Sequence, residues 1–387
     1  MSQEEGNILI VAGEASSSLY ALRFLQSLKK THPNIKCFGV GSREMEKEGF
    51  DCIGRSEDMA VVGLQEVLAH YSDIKKVFNE LIEQARKRKP KVILLLDYPD
   101  FNLRLAKKLK PLGIPVVYYI SPQLWAWRTG RIKIIQKYID KMLVVFPFEK
   151  PFYDEHNVDC EFVGHPLLDE LSEDLYGEEG RKEWRNRYGF VDDDIVFGLM
   201  PGSRRSELKL NLMVQIEAAE RVHQKNPNIK IMLAIAPSFD LSEIQEWLPE
   251  NLNFPLVLVK RDPFEMIRMC DVVLTASGTA TVMVGLMHTA MVVMYRMKKL
   301  TAWIARKLVK GPKYFGMVNL VLEDEVAKEL FQEKATPENM ASEIQNLLDD
   351  NLRKSQQERL KQLNVKLGNA GATERVVEAI KPYLEEH

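Results

Sequence analysis

The chain has 387 residues, 45% of them hydrophobic and 28% charged, with a formal net charge of −2. Those figures exclude a disordered chain and a general nucleic-acid binder, and the length calls for two domains of roughly 150–200 residues. Four scattered cysteines (Cys37, Cys52, Cys160, Cys270) have no metal-ligand spacing and read as buried thiols in a reducing compartment.

In chain order, Met1–Asn7 is polar and acidic, and Ile8–Ala12 is too short for the apolar centre of a secretory signal. No apolar run approaches the ~20 residues of a spanning helix, so a cytoplasmic protein with peripheral membrane contact is predicted. "ILIVA" (8–12) reads as a buried strand, and "VAGEASSSLY" (11–20) turns from it into a helix of small residues. The first amides of such a helix have no partner within it and suit an anion or a sugar, although tight turns of this kind also occur for steric reasons. A helical period covers Leu64–Lys89. "VILLL" (92–96) is the next strand, and it ends in "LLLDYPDFN" (94–102). Asp97 lies at that strand's tip, where a carboxylate of raised pKa serves as a general base. Asp100 suits the same role or that of a cap on a helix reaching Leu112. "PVVYYI" (115–120) leads into "SPQLWAWRTGR" (121–131), where Trp125 and Trp127 beside Arg128 and Arg131 suit either a core or a sugar or acyl-chain surface. "MLVVF" (142–146) and "CEFVG" (160–164) complete the first set of strands.

A polar interval from Ser172 to Arg187 reads as a linker. The alternation restarts with "IVFGLM" (195–200), "IKIMLAIA" (229–236), "LVLVK" (256–260), "DVVLTA" (271–276) and "AMVVMY" (290–295). Strands alternating with helices imply parallel sheets covered on both faces, with ligand sites at the strands' carboxyl ends. The predicted fold is α/β, with two doubly wound domains at 1–170 and 188–345. Helices at 346–387 close one domain, return to the first, or meet a partner subunit. Two loops of the second half suit a nucleotide diphosphate. "MPGSRRSE" (200–207) offers Gly202 for close approach, Ser203 and free amides for phosphate oxygens, and Arg204 or Arg205 for charge. "TASGTAT" (275–281) adds Ser277, Gly278 and Thr279 at a second helix start. Each loop alone also fits a capped or sterically tight helix start. No metal motif is present. "RMKKLTAWIARKLVKGPK" (296–313) carries Arg296, Lys298, Lys299, Arg306, Lys307, Lys310 and Lys313 around Trp303, Ile304 and Leu308, with no acid. It reads as a docking face for anionic lipid, or as a partly buried helix with solvated lysines. Leu64–Leu81, with Val67, Leu68, Tyr71 and Phe78, is a second apolar candidate.

"VAGEAS", "VGLQEVL", "DYPDFN", "YYISPQLWAWRTGR", "FPFEKPFYD", "FVGHPLLDEL", "LMPGSRRSE", "TASGTAT", "YRMKKLTAWIARKLVK" and "VNLVLEDEVAKEL" follow one another from Val11 to about Leu330. Together they resemble the lipid-A-disaccharide synthase family. The resemblance implies a GT-B fold of two Rossmann-like domains facing a cleft. It implies inverting transfer of 2,3-diacylglucosamine from its UDP donor to 2,3-diacylglucosamine 1-phosphate, forming the β-1,6 disaccharide of lipid A. The enzyme would be metal-independent, need no cofactor, lie peripherally on the inner membrane and form a homodimer. On that resemblance the first domain takes the acceptor through Ser16, Ser17, Ser18, Gln123, Trp125 and Arg128. Asp97 is the base, with Asp100 and Glu14 as alternatives. The second domain takes UDP through Gly202, Ser203, Arg204, Ser277, Gly278 and Thr279, with Asn319 carried mainly by the resemblance. Two positions depart from the family pattern. Ser17 and Ser18 stand where it has Gly-Asp, and Met283 stands where it has a ribose-binding glutamate. Both changes remove a carboxylate, so weakened donor affinity, or a non-catalytic lipid- or nucleotide-sugar-binding paralogue, is the alternative. An epimerase-like enzyme on a soluble nucleotide sugar leaves the basic stretch without a role.

Overall fold

The computed structural model describes residues 6–59, 64–125, 129–297 and 313–385. The chain divides into two compact units, Met1–Asp169 with Leu367–His387, and Glu170–Lys366.

The first unit is built on a sheet of β1 (Asn7–Ala12), β2 (Lys36–Gly41), β3 (Asp51–Arg55), β4 (Val92–Leu96), β5 (Val116–Tyr119), β6 (Lys141–Val144) and β7 (Cys160–Phe162). All its pairs are parallel, in the order β3-β2-β1-β4-β5-β6-β7. The apolar runs do not alternate with polar residues because both faces of the sheet are covered. Leu9, Val11, Ile93, Leu95, Val116 and Tyr118 pack on one side with Leu105, Leu109 and Ile135. Ile8, Ile10, Val92, Leu94, Val117 and Tyr119 pack on the other with Phe24, Leu28, Val376 and Ile380. The helical period at Leu64–Lys89 is realised as a helix over Leu64–Arg88.

The second core includes the C-terminal helix Ala372–Glu385, so the end of the chain returns to the first unit. The Asp169 carboxylate fixes its start, accepting from the Gly371, Ala372 and Thr373 amides at 2.6, 3.2 and 3.0 Å. Arg375 then donates to the Val163 carbonyl at 2.7 Å. Gly164, at φ 83°, leaves room for that arginine, since a Cβ there would lie 2.6 Å from its guanidinium.

The second unit holds β8 (Val196–Met200), β9 (Lys230–Ala234), β10 (Leu256–Val259), β11 (Val272–Ala276), β12 (Ala290–Tyr295) and β13 (Lys328–Phe331), all parallel, in the order β10-β9-β8-β11-β12-β13. The interval read as a linker is instead two helices of this unit, Glu173–Tyr176 and Glu178–Arg187. Its polarity misleads because two of its arginines, Arg181 and Arg185, point inward. Arg185 is 1% exposed and donates to the Met269 carbonyl at 2.9 Å, the Asp194 carbonyl at 3.0 Å and the Asp271 carboxylate at 2.7 Å. Arg181 holds the other Asp271 oxygen at 2.7 Å. The helices after Thr336 belong to this unit as far as Lys366, and only the last one joins the first unit. Among the described residues, no helix is long and apolar enough to cross a membrane.

Candidate active site

In the first unit the strand order reverses between β1 and β4, the place where open α/β sheets bind ligands. The turns after these two strands carry Glu14 and Asp97. Ser17 Oγ accepts from the Glu14 amide at 3.1 Å and donates to the Glu14 carbonyl at 2.9 Å. Ser18 Oγ donates to the Ala12 carbonyl at 3.1 Å. Both serines are buried, so their hydroxyls hold the turn, while Ser16 is exposed and Glu14 half-buried.

The turn after β4 is strained. Asp97 and Tyr98 sit at φ 46° and 48°, in the left-handed region that costs other residues than glycine about 1–3 kcal/mol each. Neighbouring bonds impose it. The Asp97 amide donates to the Tyr119 carbonyl at 3.0 Å, and its carbonyl accepts from the Tyr118 hydroxyl at 2.6 Å and Asn102 Nδ2 at 2.8 Å. The Tyr98 ring lies over Gly13, where a Cβ would come within 2.6 Å of it, so the absence of a side chain at Gly13 lets the two turns meet. Burial raises the Tyr98 phenol above its usual range, with smaller contributions from the charges of Glu14 and Asp100. Asp97 is half-buried, whereas Asp100 is exposed and forms an ion pair with Arg131.

After β5, Ile120 is also left-handed, at φ 65°. Gln123 beyond it is exposed. Trp125 is half-buried, its ring edge-on to Phe148 with centroids 4.8 Å apart. Arg128 and Trp127 lie outside the described residues. Glu149, which sequence reasoning passed over, is 1% exposed beside this loop, and its carboxyl accepts from the Phe146 amide at 3.1 Å. Burial raises its pKa to about 7. The sequence signals available were its place in "FPFEKPFYD", one of the stretches that carry the resemblance, and at the first position of the helix Glu149–Glu155.

In the second unit the order reverses between β8 and β11, so the loops after these strands share the corresponding position. Gly202 is at φ 124°, and one Glu207 oxygen accepts from the Ser203 and Arg204 amides at 2.9 and 3.3 Å. The amides expected to meet phosphate are thus held by Glu207, and the exposed Ser203 and Arg204 side chains are what this loop presents. The Ser277 amide donates to the Met294 carbonyl at 2.9 Å and its hydroxyl to the Phe315 carbonyl at 3.2 Å. Gly278, at φ 151°, and Thr279 are exposed at the start of the helix Thr279–Leu286, and a Cβ at Gly278 would meet open space. Met283 is half-buried on that helix. Asn319 is fully buried. Its Nδ2 donates to the Ala327 carbonyl at 2.6 Å and to Glu329 at 2.8 Å, while its Oδ1 accepts the Val326 and Ala327 amides, both at 2.9 Å. Such an amide reaches a ligand only through the segment it holds, since Glu329 also accepts from the Phe315 and Gly316 amides at 2.7 and 2.9 Å. Lys298, Lys299, Trp303, Arg306, Lys307 and Lys310 lie outside the described residues. Among the described residues, no three His, Cys, Asp or Glu side chains cluster as metal ligands would.

Two parallel doubly wound units, each with paired loops at its strand-order reversal, define the GT-B class of fold. Solved structures with this fold include the UDP-GlcNAc 2-epimerase of Neisseria meningitidis bound to UDP-GlcNAc, at 12% identity and a TM-score of 0.67, covering 97% of this chain and 100% of that one. Acinetobacter baumannii MurG matches at 14% identity and a TM-score of 0.60, covering 97% and 99%. In sequence, the family profile for lipid-A-disaccharide synthetase matches residues 8–380. The lipid-A-disaccharide synthase of Koribacter versatilis (strain Ellin345) is 43% identical over 350 residues, 90% of each chain. That of Trichlorobacter lovleyi is 37% identical over 380 residues, 98% of each chain. The chain belongs to the lipid-A-disaccharide synthetase family, and it is a glycosyltransferase.

Proposed function

We propose that this glycosyltransferase performs the reaction for which its family is named, through Asp97. It transfers 2,3-diacylglucosamine from the UDP donor to the 6-hydroxyl of 2,3-diacylglucosamine 1-phosphate. The Asp97 carboxylate takes the hydroxyl proton while the oxygen attacks the anomeric carbon. The bond to the diphosphate oxygen breaks with inversion, and its electron pair leaves with UDP. The observation that carries this assignment is the strained turn holding Asp97 at the sheet's reversal point, while Asp100 is committed to Arg131. Glu14, Ser16, Gln123, Trp125 and Arg128 serve the acceptor. On the second unit Ser203 and Arg204 side chains and the helix start at Gly278–Thr279 stabilise the departing diphosphate, as fixed donors do where charge develops. Asp97→Asn is expected to lower kcat roughly 10²–10⁴-fold in an assay with both lipid substrates, with UDP affinity unchanged. Near-normal turnover in this variant would transfer the role to Asp100 or Glu14.

The enzyme works as a homodimer on the inner-membrane surface, docked through the basic stretch from Arg296 to Lys313. Its seven cations with no acid favour anionic lipid by about 1 kcal/mol per charge near the surface. In sedimentation with liposomes, binding to anionic vesicles should weaken as salt is added. Equal, salt-independent binding to neutral vesicles would assign docking to an apolar face such as Leu64–Leu81.

A further inference from the structure

We propose that Glu149 is a positioning residue whose buried carboxyl, acting with Ser121, Tyr153 and Trp125, clasps the Ile120–Trp125 loop in the shape that presents Gln123 to the acceptor. The inference rests on the acceptor-side reading of that loop.

The loop does not hold its own shape. Ile120 is β-branched and left-handed, a conformation that persists only where the surroundings impose it. On one side the Ile120 amide is tied to the Leu143 carbonyl at 3.1 Å. On the other, the buried Ser121 hydroxyl lies 2.6 Å from the Tyr153 hydroxyl and 2.9 Å from the Pro122 carbonyl. Tyr153 and Glu149 are one helical turn apart on the same helix, so both face the loop. The Ser121 hydroxyl and the Trp125 indole are among the groups that favour the charged form of Glu149, after the dominant effect of burial. Yet the indole N–H, itself buried, makes no hydrogen bond of good geometry. A small movement of the loop toward a charged carboxylate completes that bond. Protonation weakens the attraction and leaves the indole unsatisfied.

Among the described residues, the groups that most affect Glu149 include no cation. From its own helix it faces Tyr153, whose phenol burial raises far above neutrality, and from β7 Cys160, raised to about 12. The end of β6 contributes the Phe146 and Val145 amides, and the loop contributes Ser121 and Trp125. His165, tilted against Phe146 with centroids 5.0 Å apart, stays neutral because burial lowers its pKa to about 3. The charge on Glu149 therefore changes near pH 7, and the clasp tightens as pH rises through that value.

Two measurements on the full-length enzyme test this. Tryptophan emission of the wild type should show a transition near pH 7 that Trp125→Phe and Glu149→Gln both abolish. With saturating donor, the wild-type KM for the acceptor should rise as pH falls below that midpoint, with kcat nearly constant. Glu149→Gln, which cannot ionise, should keep a KM raised about tenfold at every pH, and Glu149→Leu should behave likewise. If Glu149→Leu does not fold, the isosteric glutamine variant carries the comparison. Wild-type emission without a Trp125-dependent transition, or a glutamine variant with wild-type KM and pH profile, would overturn the proposal. If the emission transition is present but acceptor KM does not follow it, the clasp stands and the acceptor reading of the loop fails.

Discussion

Met283 sits half-buried on the helix opened by Gly278, at a position where the resemblance leads to the expectation of a ribose-binding glutamate. A glutamate would accept hydrogen bonds from both ribose hydroxyls, at about 1.5–3 kcal/mol each before desolvation. Methionine offers packing alone. Met283→Glu is therefore expected to bind UDP several-fold to about a hundredfold more tightly by calorimetric titration. An unchanged or weaker affinity would place the ribose elsewhere. At this scale the sequence was legible where a residue's place follows from the apolar run before it. Asp97 at a strand tip was such a case, since an apolar run followed by Asp-Tyr-Pro announces both the strand and its end. It was not legible where a side chain serves its own backbone. Ser17, Ser18 and Asn319 look like ligand contacts in the sequence, yet each spends its hydrogen bonds on nearby carbonyls and amides. Glu207 and Glu149 were not singled out in the sequence, and their bonds to the Ser203 and Phe146 amides depend on how the chain turns back.

Among the elements, the ten strands read from apolar runs are all present because parallel strands buried on both faces need uninterrupted apolar sequence. The three that escaped, β2, β3 and β13, lack such a run. "KCFGVG" carries two glycines, while "DCIGR" and "KELF" are polar strands at the sheet edges. The supposed linker escaped for a related reason, since its composition is that of a surface while Arg181 and Arg185 are internal. That contrast has a measurable consequence. Arg185→Met removes four donated bonds and leaves the Met269, Asp192 and Asp194 carbonyls without that partner. Breaking one side of a buried charged network typically costs about 3–5 kcal/mol. The denaturant midpoint of the second unit should fall accordingly, whereas Lys182→Met on the solvated face of the same helix should hardly move it. Equal effects of the two substitutions would show that the buried guanidinium is not what anchors the helix.

For the whole molecule, composition and alternation were enough to call two doubly wound units, but not the path of the chain's end. Helical period marks Ala372–Glu385 as amphipathic without saying which sheet its apolar face covers. The structure assigns it to the first unit, through Val376, Val377, Ile380 and Leu384 in the core and Asp169 at its start. The first unit is thus assembled from two separate stretches of the sequence and cannot complete its core until residues 372–385 are in place. Burying four such side chains contributes about 6–12 kcal/mol on an area basis, an upper figure because the unfolded chain already covers some of that surface. That is comparable with the whole stability of an ordinary domain, about 5–15 kcal/mol. A chain ending at Lys366 should therefore lose the cooperative unfolding transition of the first unit while the second keeps its own. Asp169→Ala, which removes only the cap on the last helix, should shift the first transition down without abolishing it. Calorimetry separates these outcomes, and on the proposed donor reading UDP should raise the second unit's transition. Two unchanged transitions in the truncated chain would mean that the first unit's sheet is stable without its last helix.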